Sequence, residues 1–178
     1  MGLNLVNLDT QTRPLMLEEI DRDVKAQKLY ISARLSATGA RDYSDLLIAA
    51  ARDHDDAWLA AEIRKPGRLN PTEQRKARSG FGVTIAKVPI TAADTMAEGE
   101  FNRFYIRGVC RRAIADGQST VTIYRAKSVM NPRLESVQLE GQSINAQALL
   151  DDLRIHTGID TVLGLPPGPN SGLSARLI

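Results

Sequence analysis

The chain has 178 residues, 43% apolar and 25% charged, with a net charge of +2, which fits one compact domain or a domain with an appended subdomain. No stretch approaches the roughly 18 apolar residues of a membrane span, MGLNLVNLDT lacks the basic and then apolar pattern of a secretory signal, and Val6 stands where a myristoylation signal needs Ser or Thr. A single cysteine, Cys110, rules out an internal disulfide and a Cys-based zinc site, and two histidines, His54 and His156, leave few metal ligands, so the reading is a cytoplasmic protein with no cofactor and no membrane partner.

The elements follow in chain order. Thr12-Arg-Pro-Leu opens like a helix, with Thr12 as N-cap, Pro14 in the first turn and Glu18, Glu19 and Asp21 toward the positive end of the dipole. Met16, Ile20 and Val24 recur at helical spacing, which predicts an apolar face ending near Lys28. Leu29-Tyr30-Ile31 is short enough to be only an edge strand or a connector. A second helix is expected from Ser36, burying Tyr43, Leu46, Leu47 and Ala50, and a third over Asp55 to Ile63. Residues 1–63 thus form a helical N-terminal unit.

Residues 64–80 read as a basic loop or linker: Arg64 to Gly82 carries two prolines, three glycines and six basic residues against Glu73 alone. Phe81, Val83, Ile85 and Val88 give a short alternating strand that stops at Pro89. Thr91 to Asp94 is a helix start close to a capping box, for a long amphipathic helix ending at Gly117. Thr120 to Arg125 is a β-branched strand, and strand, helix, strand over this length makes a β-α-β segment with parallel strands if both share one sheet. Val137-Gln-Leu139 is a further short strand, and Asn145 caps a helix carrying Leu149, Leu150, Leu153 and Ile155. From Gly164 to Ile178 three prolines and three glycines leave an extended tail. The fold class expected is α+β: a helical unit at 1–63, the linker at 64–80, an α/β core at 81–163 and the tail at 164–178.

Charge is segregated along this order. Residues 1–63 hold 7 Lys and Arg against 11 Asp and Glu, residues 64–133 hold 14 against 5, and residues 134–178 hold 2 against 5. Blocks of opposite sign favour pairing within the chain, between copies, or with an anionic partner. In the long helix Arg103, Arg107 and Arg111 fall in one stripe with Phe104 beside them, a pattern able to grip phosphates or carboxylates. The reading placed first is a solvated helix face whose arginines pair with the acidic N-terminal helices. Arg75, Lys76 and Arg78 in the linker are the better contacts for nucleic acid, since a cationic segment gains affinity by counterion release without precise geometry. An equal alternative is an arm that docks on an acidic patch of a neighbouring subunit.

Asp53-His54-Asp55-Asp56 reads as a helix start rather than a metal cluster, and Cys110 as a packed thiol. Ser171, His156 and Asp160 can be combined on paper, but no nucleophile elbow selects them. The stiff tail ends in Leu173, Leu177 and Ile178, apolar residues suited to capture by another surface.

FNRFYIRGVCRRAI, IYRAK with NPRLES, and VLGLPPGPNSGLSARL resemble a family of uncharacterised bacterial and phage-borne proteins among the structural modules of tailed phages and prophages. That resemblance implies a virion-associated protein without catalytic activity, of the head decoration, cement or head-tail joining type. Its partners would be other protein subunits, and its final location the particle. A sequence-nonspecific nucleic-acid-binding module is the alternative, and an enzyme with a dispersed site the third reading.

Overall fold

The computed structural model describes residues 2–76, 82–158, 161–165 and 171–178. Their helices are Thr12–Lys25 (α1), Ala37–Asp53 (α2), Asp56–Ile63 (α3), Ala92–Ala115 (α4), Leu134–Leu139 (α5) and Ala146–Ile155 (α6). The strands are Thr72–Lys76 (β1), Val83–Lys87 (β2), Thr120–Arg125 (β3), Ser143–Asn145 (β4) and Leu173–Arg176 (β5). The fold is mixed α+β, with the long helix α4 lying between strands in chain order.

Helix α4 is the axis of the molecule. At 24 residues it is about 36 Å long, and α1, α3 and α6 pack around it together with β3 and β5. Every side chain from Phe101 to Cys110 is buried, so the helix is enclosed on all sides over this stretch. One apolar core crosses the boundary drawn at residues 63 to 81, taking Met16 and Ile20 from α1, Tyr43 and Leu47 from α2, Phe101, Ile106 and Val109 from α4, and Val121, Leu149 and Leu173 beyond. Fully burying each such large side chain contributes roughly 1.5 to 3 kcal/mol.

Close approach depends on Gly108. A Cβ there would stand 2.8 Å from Met16 Cγ and 3.2 Å from Thr12 Cγ2, so its absence is what lets α1 lie against α4. The start of α1 is capped by Asp9, not Thr12: its carboxylate accepts from the amides of Gln11 and Thr12 at 3.0 Å each. Thr12 is instead buried, and Val24 and, on α6, Ile155 are exposed where the sequence pattern placed them inward. Ser36, Asp55 and Asn145 cap α2, α3 and α6 by accepting from Gly39, Trp58 and Ala148. Thr91 starts α4 without a side-chain cap.

The strands correct the parallel expectation. β2 and β3 lie in different sheets, and every pairing among the described strands is antiparallel. The apolar alternation of β2 has no core beneath it, and its partner comes from the basic linker, where Thr72–Lys76 forms β1. β3 is the centre of the order β4-β3-β5, with Val121 opposite Ile144 and Ile123 opposite Ala175. Residues 137–139 belong to helix α5, and the strand falls a few residues later at Ser143–Asn145.

The C-terminal segment also differs from a free tail. Leu173 and Ala175 are buried, and Asn102 of α4 binds both the Leu173 carbonyl and the Ser174 hydroxyl. The N-terminal segment crosses the same region, where the Asn7 side chain accepts from the Leu177 amide and the Tyr124 hydroxyl donates to the Asn4 carbonyl. The middle of the predicted tail, residues 166–170, lies outside the described residues.

Candidate functional site

The arginine stripe of α4 faces inward. Arg107 is 2% exposed and holds two carboxylates of α1: its Nε donates to Glu19 at 2.9 Å, and its two terminal nitrogens donate to Asp23 at 2.6 and 2.9 Å. The same guanidinium lies over the Phe104 ring at 4.8 Å. Glu19 is shared with Arg154 of α6, whose guanidinium donates to it at 2.6 and 3.0 Å. Burial works to raise the Glu19 carboxyl, but Arg154 and Arg107 outweigh it and hold the group below its ordinary value. Arg111 reaches Glu18 at 2.5 Å, and Arg103 donates to the His156 carbonyl.

This arrangement pairs Arg107 and Arg111 with the acidic helix α1, as the charge blocks suggested, but buries Arg107 where a solvated face was expected. It also removes Arg103, Phe104 and Arg107 as partner contacts, because all three are buried inside the chain. The physical reason is that α1 carries Glu19 and Asp23 on the face that also holds Met16 and Ile20, so helix packing brings carboxylates and guanidinia together. Leu173 is likewise a core residue, and Leu177 packs partly against the core, which leaves Ile178, 72% exposed, as the open member of the C-terminal trio.

Other chemistry-bearing residues are engaged structurally. Burial pushes the Cys110 thiol up to about 12. Asp152, which the sequence reading did not single out, accepts from His156 Nδ1 at 2.7 Å and from the amides of Val162 and Leu163 at 3.0 and 2.7 Å. It fastens the segment after α6, and its only sequence signal is the four-residue spacing to His156. Asp160 lies outside the described residues. Among the described residues no three of His, Cys, Asp and Glu are grouped to hold a metal ion, and no helix is long and apolar enough to cross a membrane.

The β1–β2 ribbon is different in kind. No side chain of either strand belongs to the apolar core. Its root is held where Leu35 bridges Leu69, where the Ser36 amide donates to Arg68, and where Arg34 pairs with Glu73 at 2.5 Å. That pair ties together the two walls, residues 30–34 and 72–74, of an open cleft of about 640 Å³.

Cross-strand register places Val83 opposite Lys76, Ile85 opposite Gln74 and Lys87 opposite Thr72, so these six side chains share one face. All six are exposed, Val83 by 64% and Ile85 by 75%. Among the described residues the edge is open as well. Val88 donates to the Pro71 carbonyl, which fixes the hydrogen-bonded pairs at 73 with 86 and 75 with 84, and turns the amides and carbonyls of Val83, Ile85 and Lys87 away from β1. Of the linker cations expected to make contacts, Arg75 is held by Glu73 at 2.5 Å, Lys76 makes no ion pair among the described residues, and Arg78 lies outside them. No family model, curated protein or solved structure matches the chain.

Proposed function

We propose that the chain is a non-enzymatic assembly protein of a tailed-phage or prophage particle, which contacts neighbouring subunits through the β1–β2 ribbon. The observation that carries this reading is, among the described residues, a ribbon with no core beneath it, exposed Val83 and Ile85 side chains and an open edge. A two-stranded ribbon is marginal by itself in water, and exposed β-branched side chains on an unpaired edge are what folded proteins ordinarily cover. A partner surface supplies that cover. The virion setting rests on the segment resemblance in α4, β3 and the C-terminal region.

The internal use of charge supports a protein partner over nucleic acid. Among the described residues, nine of the fourteen cations of the middle block form ion pairs within the chain: Arg64 with Asp94, Lys65 and Arg68 with Glu62, Arg75 with Glu73, Arg107 with Glu19 and Asp23, Arg111 with Glu18, Arg112 with Asp9, Arg125 with Glu140 and Lys127 with Glu98. A ribbon whose described unpaired cations are Lys76 and Lys87 has little to exchange for counterions on a phosphate backbone.

Two measurements test the reading. Gradient-purified particles from an induced host should contain this chain at a fixed ratio to the major structural proteins by mass spectrometry, and its consistent absence would refute the virion role. Light scattering with and without a short DNA duplex should show no DNA-dependent mass at low or moderate salt. A complex with duplex that dissolves as salt rises would transfer the ribbon to nucleic acid.

A further inference from the structure

We infer that the β2 edge receives an extended strand from a neighbouring subunit of a different protein, added antiparallel, with the pattern acidic, any, apolar, any, apolar. The inference rests on the assembly reading above and specifies the chemistry of what the ribbon binds. Strand addition fits because the outward amides and carbonyls of Val83, Ile85 and Lys87 form an unpaired ladder, with proline absent from the strand. Among the described residues no backbone group bonds to this edge.

The side chains then set the pattern. An antiparallel guest strand places successive same-face residues opposite Lys87, Ile85 and Val83 in that order. Lys87 has no ion pair among the described residues and calls for Asp or Glu, while Ile85 and Val83 call for apolar and preferably β-branched partners. Lys76, across the ribbon from Val83, adds a second positive charge at the far end of the face. The guest's intervening residues share a face with Thr84, which is exposed, and with the Arg75 and Glu73 pair, so that side selects no apolar residue. The unpaired ladder thus fixes the spacing, and Lys87 places the acidic residue of the guest at its own end of the strand.

The probe is a capped synthetic peptide Glu-Thr-Val-Thr-Ile titrated into the full chain, read by amide chemical shifts and hydrogen exchange. Expected is saturable protection at Val83, Ile85 and Lys87, with Thr84 and Ala86 unchanged because their amides already bond within the ribbon. A peptide with Lys in place of Glu should bind about five-fold more weakly. Lys87→Glu in the protein should invert that preference.

Ile85→Pro removes an outward donor while sparing the inner ladder, so it should abolish protection with the fold intact by circular dichroism. Equal effects at 84 and 86, indifference to the peptide's charge, or no protection at saturating peptide would overturn the inference. So would protection of the three amides before peptide is added, accompanied by a dimer mass, since the guest would then be a second copy. Protection by duplex DNA alone would overturn it in favour of nucleic acid. Particle analysis is independent of all these readouts, so a chain found in particles whose β2 ignores the peptide keeps the assembly role and loses this guest.

Discussion

Arg107 shows what a buried cation demands of its surroundings. Its charge is matched by Glu19 and Asp23, and the pair is satisfied by four donated hydrogen bonds, one of them to the Glu19 carbonyl at 3.3 Å. Replacing buried ions by apolar residues is often neutral, whereas removing one partner strands the others. Arg107→Ala should therefore destabilise the protein by about 3 to 5 kcal/mol, and Arg107→Lys by less, because an ammonium keeps the charge but cannot serve both carboxylates from one planar fork. Urea unfolding followed by the single tryptophan, Trp58, measures both, and an Arg107→Ala loss under 1 kcal/mol would remove the network from the stability of the core. Gly108 makes a separate demand one residue on. Gly108→Ala puts a methyl within 2.8 Å of Met16 Cγ, and the expected cost is about 1 to 3 kcal/mol in the same assay.

Elements divide into those that hold the molecule and those it presents. β5 belongs to the first group: Leu173→Ala should cost about 2 to 5 kcal/mol, as expected for a fully buried leucine. β2 belongs to the second, and Val83→Ser with Ile85→Ser should change stability by under about 0.5 kcal/mol each. Thermal unfolding of these variants separates the groups, and a large loss from Ile85→Ser would mean the ribbon face is covered within the chain. The contrast also explains what the sequence could carry. Capped, amphipathic α2 and α6 are local constructions, so Ser36 and Asn145 mark their starts directly. Strand partners are not local: nothing around Val83 says that Thr72–Lys76 pairs with it, and nothing around Leu173 says that it reaches β3 past a proline-rich stretch. A hydrophobic alternation in β2 looks the same over a core or over solvent. The arginine stripe was legible as a cationic face, and its burial followed only once α1 and α6 brought carboxylates and a second arginine against it. The open edge had no signal in sequence, because it depends on which amides β1 leaves unpaired.

At the scale of the whole molecule, carboxyl groups shifted in opposite directions shape stability against pH. Burial raises Glu19 and Asp9, but arginine partners and hydrogen bonds outweigh it, so both sit below their ordinary values of 4.5 and 3.8. Their contribution is fully present above those ordinary values and is lost as pH falls through the lowered folded ones. Glu100 behaves oppositely: burial pushes it up to about 7, only partly offset by Arg103 and Arg107 on its own helix, with Asp23 of α1 adding to the rise and the buried Tyr43 of α2 close by. Between 4.5 and about 7 the native state keeps a proton that the unfolded chain has released, so the Glu100 contribution is greatest below 4.5 and falls as pH rises toward 7. Glu19 and Asp9 thus favour the fold above their ordinary values, and Glu100 favours it below about 7. Glu100→Gln removes the ionisation while keeping the shape, so it should flatten the alkaline side and raise stability at pH 8 by on the order of 2 kcal/mol, with little change at pH 4. Urea midpoints across that range decide it, since an unchanged stability at pH 8 would show that the Glu100 carboxylate is well solvated in the fold.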